Sequence, residues 1–441
     1  MRRRAALAAV AVSLAAASAL LVAAPASGHI VPSTTIQLDV HETDVSASLT
    51  LPAADLVTAS GIEVGDGVDE TTAEAITGYL EEHIRVTSDA GTWDVAVDDV
   101  ATTETEQWDT GSFRAITATA TLAPPGVTSP RSFTLEYDAI IHQVVTADVF
   151  VSLRSDWATG QLESARDLGT ITLDTVTGTV APLVVDLDDG SLWQGFVGMV
   201  TLGMSHIAEG TDHQLFLLTL LLPAPLLAIG GRWRGVAPTG KAVRRITAIT
   251  LAFTIGHSAT FALGTLGVPV PQQPIEALIA VSILIAAAHA IRPLFPGREP
   301  LVAGFFGLIH GMAFSTTLSA LDLSGGQLAV SLLGFNLGIE IMQLFVVLLV
   351  LPPLVVLART PAYTPLRIAA AAVTAAAATG WLLDRVGITT ALGDAADTLG
   401  TASAWIVLAL WVTAVVVLIR SRIHKGSELP PRKDQTVLAR S

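Results

Sequence analysis

The chain has 441 residues, 51% hydrophobic and 14% charged, with no cysteine. This is the balance of a membrane protein with room for two or three domains, and it rules out disulfides, zinc fingers and thiolate chemistry. The net charge of −15 is unevenly placed, residues 29–192 holding 28 acids against five arginines and residues 193–441 holding 11 acids against 16 bases; such an acidic first half argues against nucleic acid as a partner.

Met1 and three arginines, followed by the apolar run Ala5 to Ala24 and small residues up to Gly28, read as a signal peptide over 1–28. Residues 29–190 then read as an acidic, mainly-β, sandwich-like domain placed extracytoplasmically by the export signal. Thr34–Val40, Val45–Leu51, Ala115–Leu122 and Ser132–Tyr137 alternate apolar and polar residues, the period of half-buried strands. Thr71–Ile84 is the helix candidate, with Thr71 or Thr72 as cap and Glu74, Glu81 and Glu82 facing water. The dispersed His41, His83 and His142 are assigned no chemistry. Asp186–Gly190 marks the junction.

Residues 193–421 carry seven apolar segments: Trp193–Leu227, Ile246–Val268, Ile275–Ile291, Leu301–Leu321, Leu328–Leu357, Ile368–Val386 and Ala402–Ile419. They read as a polytopic α-helical membrane domain of seven spans, followed by a basic tail over 422–441. The first and fifth are long enough to tilt or break. With the β-rich domain outside, the arginine- and lysine-bearing loops and the tail all fall on the cytoplasmic side. The outside loops then hold a single base, Arg385. This obeys the positive-inside rule and predicts a multi-pass cell-membrane protein with a cytoplasmic C-terminus.

Ionisable residues within spans are costly and usually functional. His206, Asp212 and His213 lie in the first segment, His257 in the second, His310 in the fourth, and Asn336 and Glu340 in the fifth. At about 1.5 Å of rise per residue, His206, His257, His310 and Glu340 reach one depth near the bilayer centre. Asp212 and His213 fall about two turns nearer the cytoplasm unless the chain breaks at Gly210. Imidazoles and carboxylates at one depth suit a divalent transition metal or a proton relay; the competing reading is a polar network that ties helices together. His289 and Glu276 read as interfacial, with Glu276 able to line an access path. No Walker loop or dinucleotide fingerprint is present.

The stretches His206-x3-Gly210-x-Asp212-His213, Gly256-His257-Ser258, Pro274-Ile-Glu276 through Ser282, Gly307-Leu-Ile-His310-Gly311 and Phe335-Asn336-x-Gly338-x-Glu340 together resemble the HupE/UreJ family over Trp193–Leu357. That resemblance implies a nickel or cobalt permease or metal-handling accessory protein, with metal roles for His206, Asp212 and His213. The acidic domain is not part of the family's short members and leaves the substrate open. The expected function is binding and transport of a divalent transition metal, nickel or cobalt, through an intramembrane site of His206, Asp212, His213, His257, His310, Asn336 and Glu340, with no catalytic residues. A ligand set without thiolate suits nickel, cobalt or zinc. The expected partners are the metal ion, the lipid bilayer and, through the acidic domain, another membrane or exported protein. Two alternatives stay open: an intramembrane metal-dependent hydrolase, and a membrane-anchored receptor whose helices are structural.

Overall fold

The computed structural model describes residues 32–427 except 66, 108–110, 265–270, 320, 322, 389 and 400–401. The expected signal peptide and most of the basic tail lie outside the described residues. The chain forms two compact units, Met1–Arg154 with Ala165–Leu187, and Ser155–Ser164 with Asp188–Ser441.

The first unit is mainly β. Strands β1 (Thr34–Val40), β2 (Val45–Pro52), β5 (Asp94–Gln107), β6 (Gly111–Ala123), β8 (Val149–Asp156) and β9 (Arg166–Ile171) form a six-stranded sheet in the order β5-β6-β2-β1-β8-β9. A four-stranded sheet of β3 (Ile84–Ser88), β4 (Gly91–Thr92), β7 (Ser132–Tyr137) and β12 (Leu183–Asp186) runs β12-β7-β3-β4. Strands β10 (Leu173–Asp174) and β11 (Thr179–Val180) make a separate ribbon. The two larger sheets bury one shared core. Ile36, Leu38, Leu49 and Leu51 come from the first, and Val86, Phe133, Leu135 and Tyr137 from the second. The period-2 alternation produces this, because every second residue of β1, β2 and β6 points inward.

Helix α1 (Ala53–Ser60) follows β2, and α2 (Glu70–His83) covers the core with Ile76 and Leu80. The cap of α2 is Asp69, whose carboxylate accepts from the Thr72 amide at 2.8 Å. The expected Thr71 and Thr72 lie two and three residues past it, inside the helix, whereas a side chain caps from the residue before the first helical one.

The second unit is helical. Helix α3 (Leu192–Glu209) and α4 (Thr211–Leu221) divide at Gly210, and the chain leaves α4 through a hairpin of β13 (Leu226–Ile229) and β14 (Arg232–Val236). The first expected segment is therefore two helices and part of a hairpin. Gly210 is extended, with φ −67° and ψ 95°. Then come α5 (Thr239–Gly264), α6 (Gln272–Ile291), α7 (Glu299–Ser319), α8 (Gly325–Leu357), α9 (Tyr363–Arg385), α10 (Ala391–Leu399) and α11 (Ser403–Ser427). Among the described residues, five helices are long and apolar enough to cross a membrane: Thr239–Leu263, Gln272–Ile291, Gly325–Leu357, Tyr363–Arg385 and Ser403–Arg420. Glu299–Phe314 is a shorter apolar helix.

Two glycine seams hold this bundle. In the first, α3 meets α8, with Gly203 facing the Phe335 carbonyl and Gly338 facing the Val200 carbonyl. In the second, α5 meets α7, with Gly256 against the Gly304 carbonyl, Gly307 against that of Phe253, and Gly311 against that of His257. No Cβ fits at these positions, so backbone lies on backbone. Apolar side chains gain little by leaving lipid for one another, and close approach supplies packing instead. The seams also set the height of His257 on α5 and of His206 on α3.

Candidate metal centre

The break at Gly210 decides the geometry. On a continuous helix His206 and His213 would lie two turns apart along the axis. Ending α3 and restarting as α4 places their ring centroids 4.6 Å apart. The Gly210 amide still reaches the His206 carbonyl at 3.2 Å, and the Gln214 amide reaches the Gly210 carbonyl at 3.0 Å. A Cβ on residue 210 would stand 2.6 Å from the His206 carbonyl oxygen and 3.1 Å from His213 Nδ1. Glycine is required by the close approach.

Around this break the structure gathers five of the seven expected residues. His206, His213 and His257 each offer a ligand atom, all within 4.8 Å of one another, and Asp212, His213 and His310 do the same. His213 is shared, and its ring lies 4.9 Å from that of His310, edge to face. His213, His257 and His310 are 7%, 0% and 1% exposed.

The hydrogen bonds constrain which nitrogens carry protons. The Asp212 carboxylate lies 2.9 Å from His213 Nδ1, and a carboxylate only accepts, so that nitrogen donates and Nε2 keeps a lone pair. Ser282 on α6 has one hydroxyl proton, which it gives to the Ile279 carbonyl at 2.7 Å. With its proton there it accepts from His310 Nε2 at 3.0 Å, which leaves the lone pair on His310 Nδ1; with its proton on His310 Nε2 instead, His310 Nδ1 donates to His213 Nε2. His213 Nε2 and His310 Nδ1 face each other at 3.4 Å. A proton on His310 Nδ1 joins the two rings by a hydrogen bond, and a cation can take that proton's place. Carboxylate, hydroxyl and carbonyl partners of this kind are what orient imidazoles for metal binding. His206 Nε2 and both ring nitrogens of His257 are buried without a hydrogen-bond partner among the described residues. Leaving buried polar atoms bare costs about 1–3 kcal/mol each, a cost that a coordinated cation would remove.

Asn336 and Glu340 take another part. They lie on α8, and Glu340 enters neither ligand group. Glu340 accepts from the Thr254 hydroxyl at 2.9 Å, and the Asn336 side-chain oxygen accepts from Ser258 at 2.5 Å, both on α5. These bonds tie α8 to α5 beside the histidines.

A cavity of ≈ 400 Å³ opens onto the site, lined by His206, Asp212, His213, His310, Glu276 and Arg385 among others. Glu276 and Arg385 form an ion pair within its lining. Arg385 was legible in the sequence only as the one base among the outside loops, and its tie to Glu276 had no sequence signal.

His289, expected at an interface, is 1% exposed. Its Nδ1 accepts from the amides of Leu294 and Phe295 at 3.1 and 3.4 Å, and its ring stacks on Phe295 at 3.9 Å. Two amides past the end of α6 have recruited the imidazole as their acceptor, so its place is structural and away from the four clustered histidines.

The profile of the family described as HupE / UreJ protein matches residues 184–385. This segment belongs to the HupE/UreJ family. The match passes the last motif on α8 and takes in α9 up to Arg385, so the HupE/UreJ region includes the arginine that pairs with Glu276. No curated protein matches the chain. The family and the five apolar helices make this a multi-pass membrane protein.

Proposed function

We propose that this HupE/UreJ protein binds a divalent transition metal, nickel or cobalt, at His206, Asp212, His213, His257 and His310 and passes it across the membrane. The observation that carries this reading is the gathering of four imidazoles around Asp212, with His206 Nε2 and both His257 ring nitrogens buried without a hydrogen-bond partner among the described residues. Within each of the two groups the ligand atoms lie within 4.8 Å of one another, and contraction around an ion would set each imidazole nitrogen at the roughly 2.0–2.1 Å bond length of such ions. Nitrogen and oxygen ligands without thiolate favour nickel, cobalt or zinc over Cu(I). Asn336 and Glu340 act as polar neighbours that hold α8 against the ligand-bearing α5. The cavity beside Glu276 supplies a hydrated approach.

In this reading the chain is exported by the N-terminal signal, the acidic unit lies outside, and seven spans end in a cytoplasmic tail. The 28 acids of residues 29–192 raise the local cation concentration. A reporter fused after Ser441 that is active only outside the cell would refute that topology.

The decisive experiment is calorimetric titration of the purified protein with nickel and cobalt. His213→Ala and His310→Ala should each abolish tight binding while the protein remains in the membrane fraction. Wild-type binding in both variants would reduce the cluster to a helix-tying network.

A further inference from the structure

A second cavity, of ≈ 490 Å³, lies where α5 and α7 begin beside the β13–β14 hairpin. Its charged lining is Lys241, Arg244 and Arg245 of α5 and Glu299 of α7. Lys241, Arg244, Arg245 and Ala248 recur at helical spacing, so they share one face of the first turns of α5. Three bases against one acid leave that lining positive.

Arg245 is already neutralised. Its guanidinium pairs with Glu299, which is buried, and lies over the Trp233 ring, 5.0 Å from the centroid. The Trp233 indole is held in turn by donating to the His289 carbonyl at 2.8 Å. The other Glu299 oxygen accepts from the Gly297 amide at 2.8 Å. Both oxygens of the one acid are thus committed, and they fix one wall of the cavity. Lys241 and Arg244 are exposed, and among the described residues neither has an acidic partner. The first turn of α5 carries no acid either. Cations beside a helix N-terminus add to its partial positive charge, and an anion placed there offsets both.

The surroundings say which anion. Helix α5 is apolar and long enough to cross a membrane from Thr239 onward, so its first turns stand at headgroup depth. Around the cavity Val243, Leu251 and Leu301 are exposed, an apolar surface that acyl chains would cover. We infer that this cavity binds the phosphate headgroup of an anionic phospholipid, held by Lys241 and Arg244 against the fixed wall of Arg245 and Glu299. Basic pockets between membrane helices suit such headgroups, because the charges add to the hold that lipid already has on the apolar flanks. The site shares no residue with the metal centre and stands or falls separately from the transport reading.

The test uses the full chain in a neutral detergent, with phosphatidylglycerol, phosphatidylcholine and inorganic phosphate as probes and native mass spectrometry as the readout. Wild type should bind phosphatidylglycerol about tenfold or more tightly than phosphatidylcholine. Lys241→Gln with Arg244→Gln should weaken phosphatidylglycerol about 30-fold, since each base near a membrane surface contributes about a factor of five. Both side chains are exposed, so this variant should keep the wild-type melting temperature. Arg232→Gln with Arg234→Gln removes the same charge from β14, outside the cavity lining, and should leave the affinity unchanged. Equal binding of the two lipids by wild type, wild-type affinity in the Lys241/Arg244 variant, or an equal loss in the Arg232/Arg234 variant would overturn the site. Displacement of phosphatidylglycerol by an equal concentration of inorganic phosphate would overturn the lipid and leave a soluble anion as the occupant.

Discussion

Gly307→Ala probes whether the helix seam sets the metal geometry. A Cβ at residue 307 would lie 3.0 Å from the His257 amide nitrogen and from the Phe253 carbonyl carbon, and closer still to the Phe253 carbonyl oxygen. Carbon makes comfortable contact with other heavy atoms at about 3.5 Å or beyond. Helices α5 and α7 must therefore separate by at least about 0.5 Å, and by more opposite the oxygen. His257 and His310 ride on those two helices, whereas ligand distances in a metal site tolerate only about 0.2 Å. Overpacking should cost about 1–3 kcal/mol of stability. Displacing the ligands should weaken nickel binding by about 10–100-fold, the usual effect of disturbing the groups that orient a ligand. Gly240→Ala is the control, since nothing lies within 4 Å of a Cβ there. Calorimetric titration and thermal melts followed by circular dichroism measure both effects. Unchanged melting and unchanged nickel affinity in Gly307→Ala would refute the argument that this seam fixes the site.

Ser282→Ala removes the hydrogen-bond partner that orients His310 through Nε2; nickel affinity should fall about 10–100-fold in the same titration, with the fold intact. His289→Ala should leave nickel binding unchanged but lower the melting temperature, because the Leu294 and Phe295 amides lose their acceptor, at about 1–3 kcal/mol. Asp55, in the first turn of α1, has a carboxylate oxygen buried without a partner among the described residues, and burial raises its pKa above the usual 3.8. A raised folded-state pKa gives stability that is present below 3.8 and lost as pH rises through the folded value. Asp55→Asn should accordingly raise the melting temperature near neutral pH, and the gain should vanish as the buffer is acidified below that value.

What could be read from the residues followed from periodicity and from the cost of polar groups in apolar helices. Strands β1 and β7 coincide with the expected alternating runs, because a two-residue period has one solution when one face is buried. The histidines of α3, α5 and α7 were legible as one set by depth alone. Depth says nothing about rotation, however, and on α8 rotation decides which side chains a polar face meets. Asn336 and Glu340 share a face four residues apart, yet that face meets hydroxyls of Thr254 and Ser258 on α5. The hairpin of β13 and β14 was hidden inside an apolar run, since Leu226–Ile229 is as hydrophobic as a span.

Gly210 shows why the site itself lay partly beyond sequence reading. The residues Gly210-Thr211-Asp212-His213 are compatible with one long helix or with two. A lone glycine costs a helix only about 1 kcal/mol, too little to force a break. The choice is made by what surrounds it. A continuous helix would carry Asp212 and His213 two turns from His206. Breaking there sets the Asp212 carboxylate against His213 Nδ1 and the His213 ring against those of both His206 and His310. Ser282, from a helix about seventy residues downstream, fixes the second imidazole. The chemistry of the centre thus depends on a tertiary decision at one glycine. A substitution there must fail through geometry rather than helix propensity: Gly210→Ala favours helix, yet its Cβ would crowd His213 Nδ1 at 3.1 Å and Asp212 Oδ1 at 3.2 Å, the two atoms whose bond sets the proton.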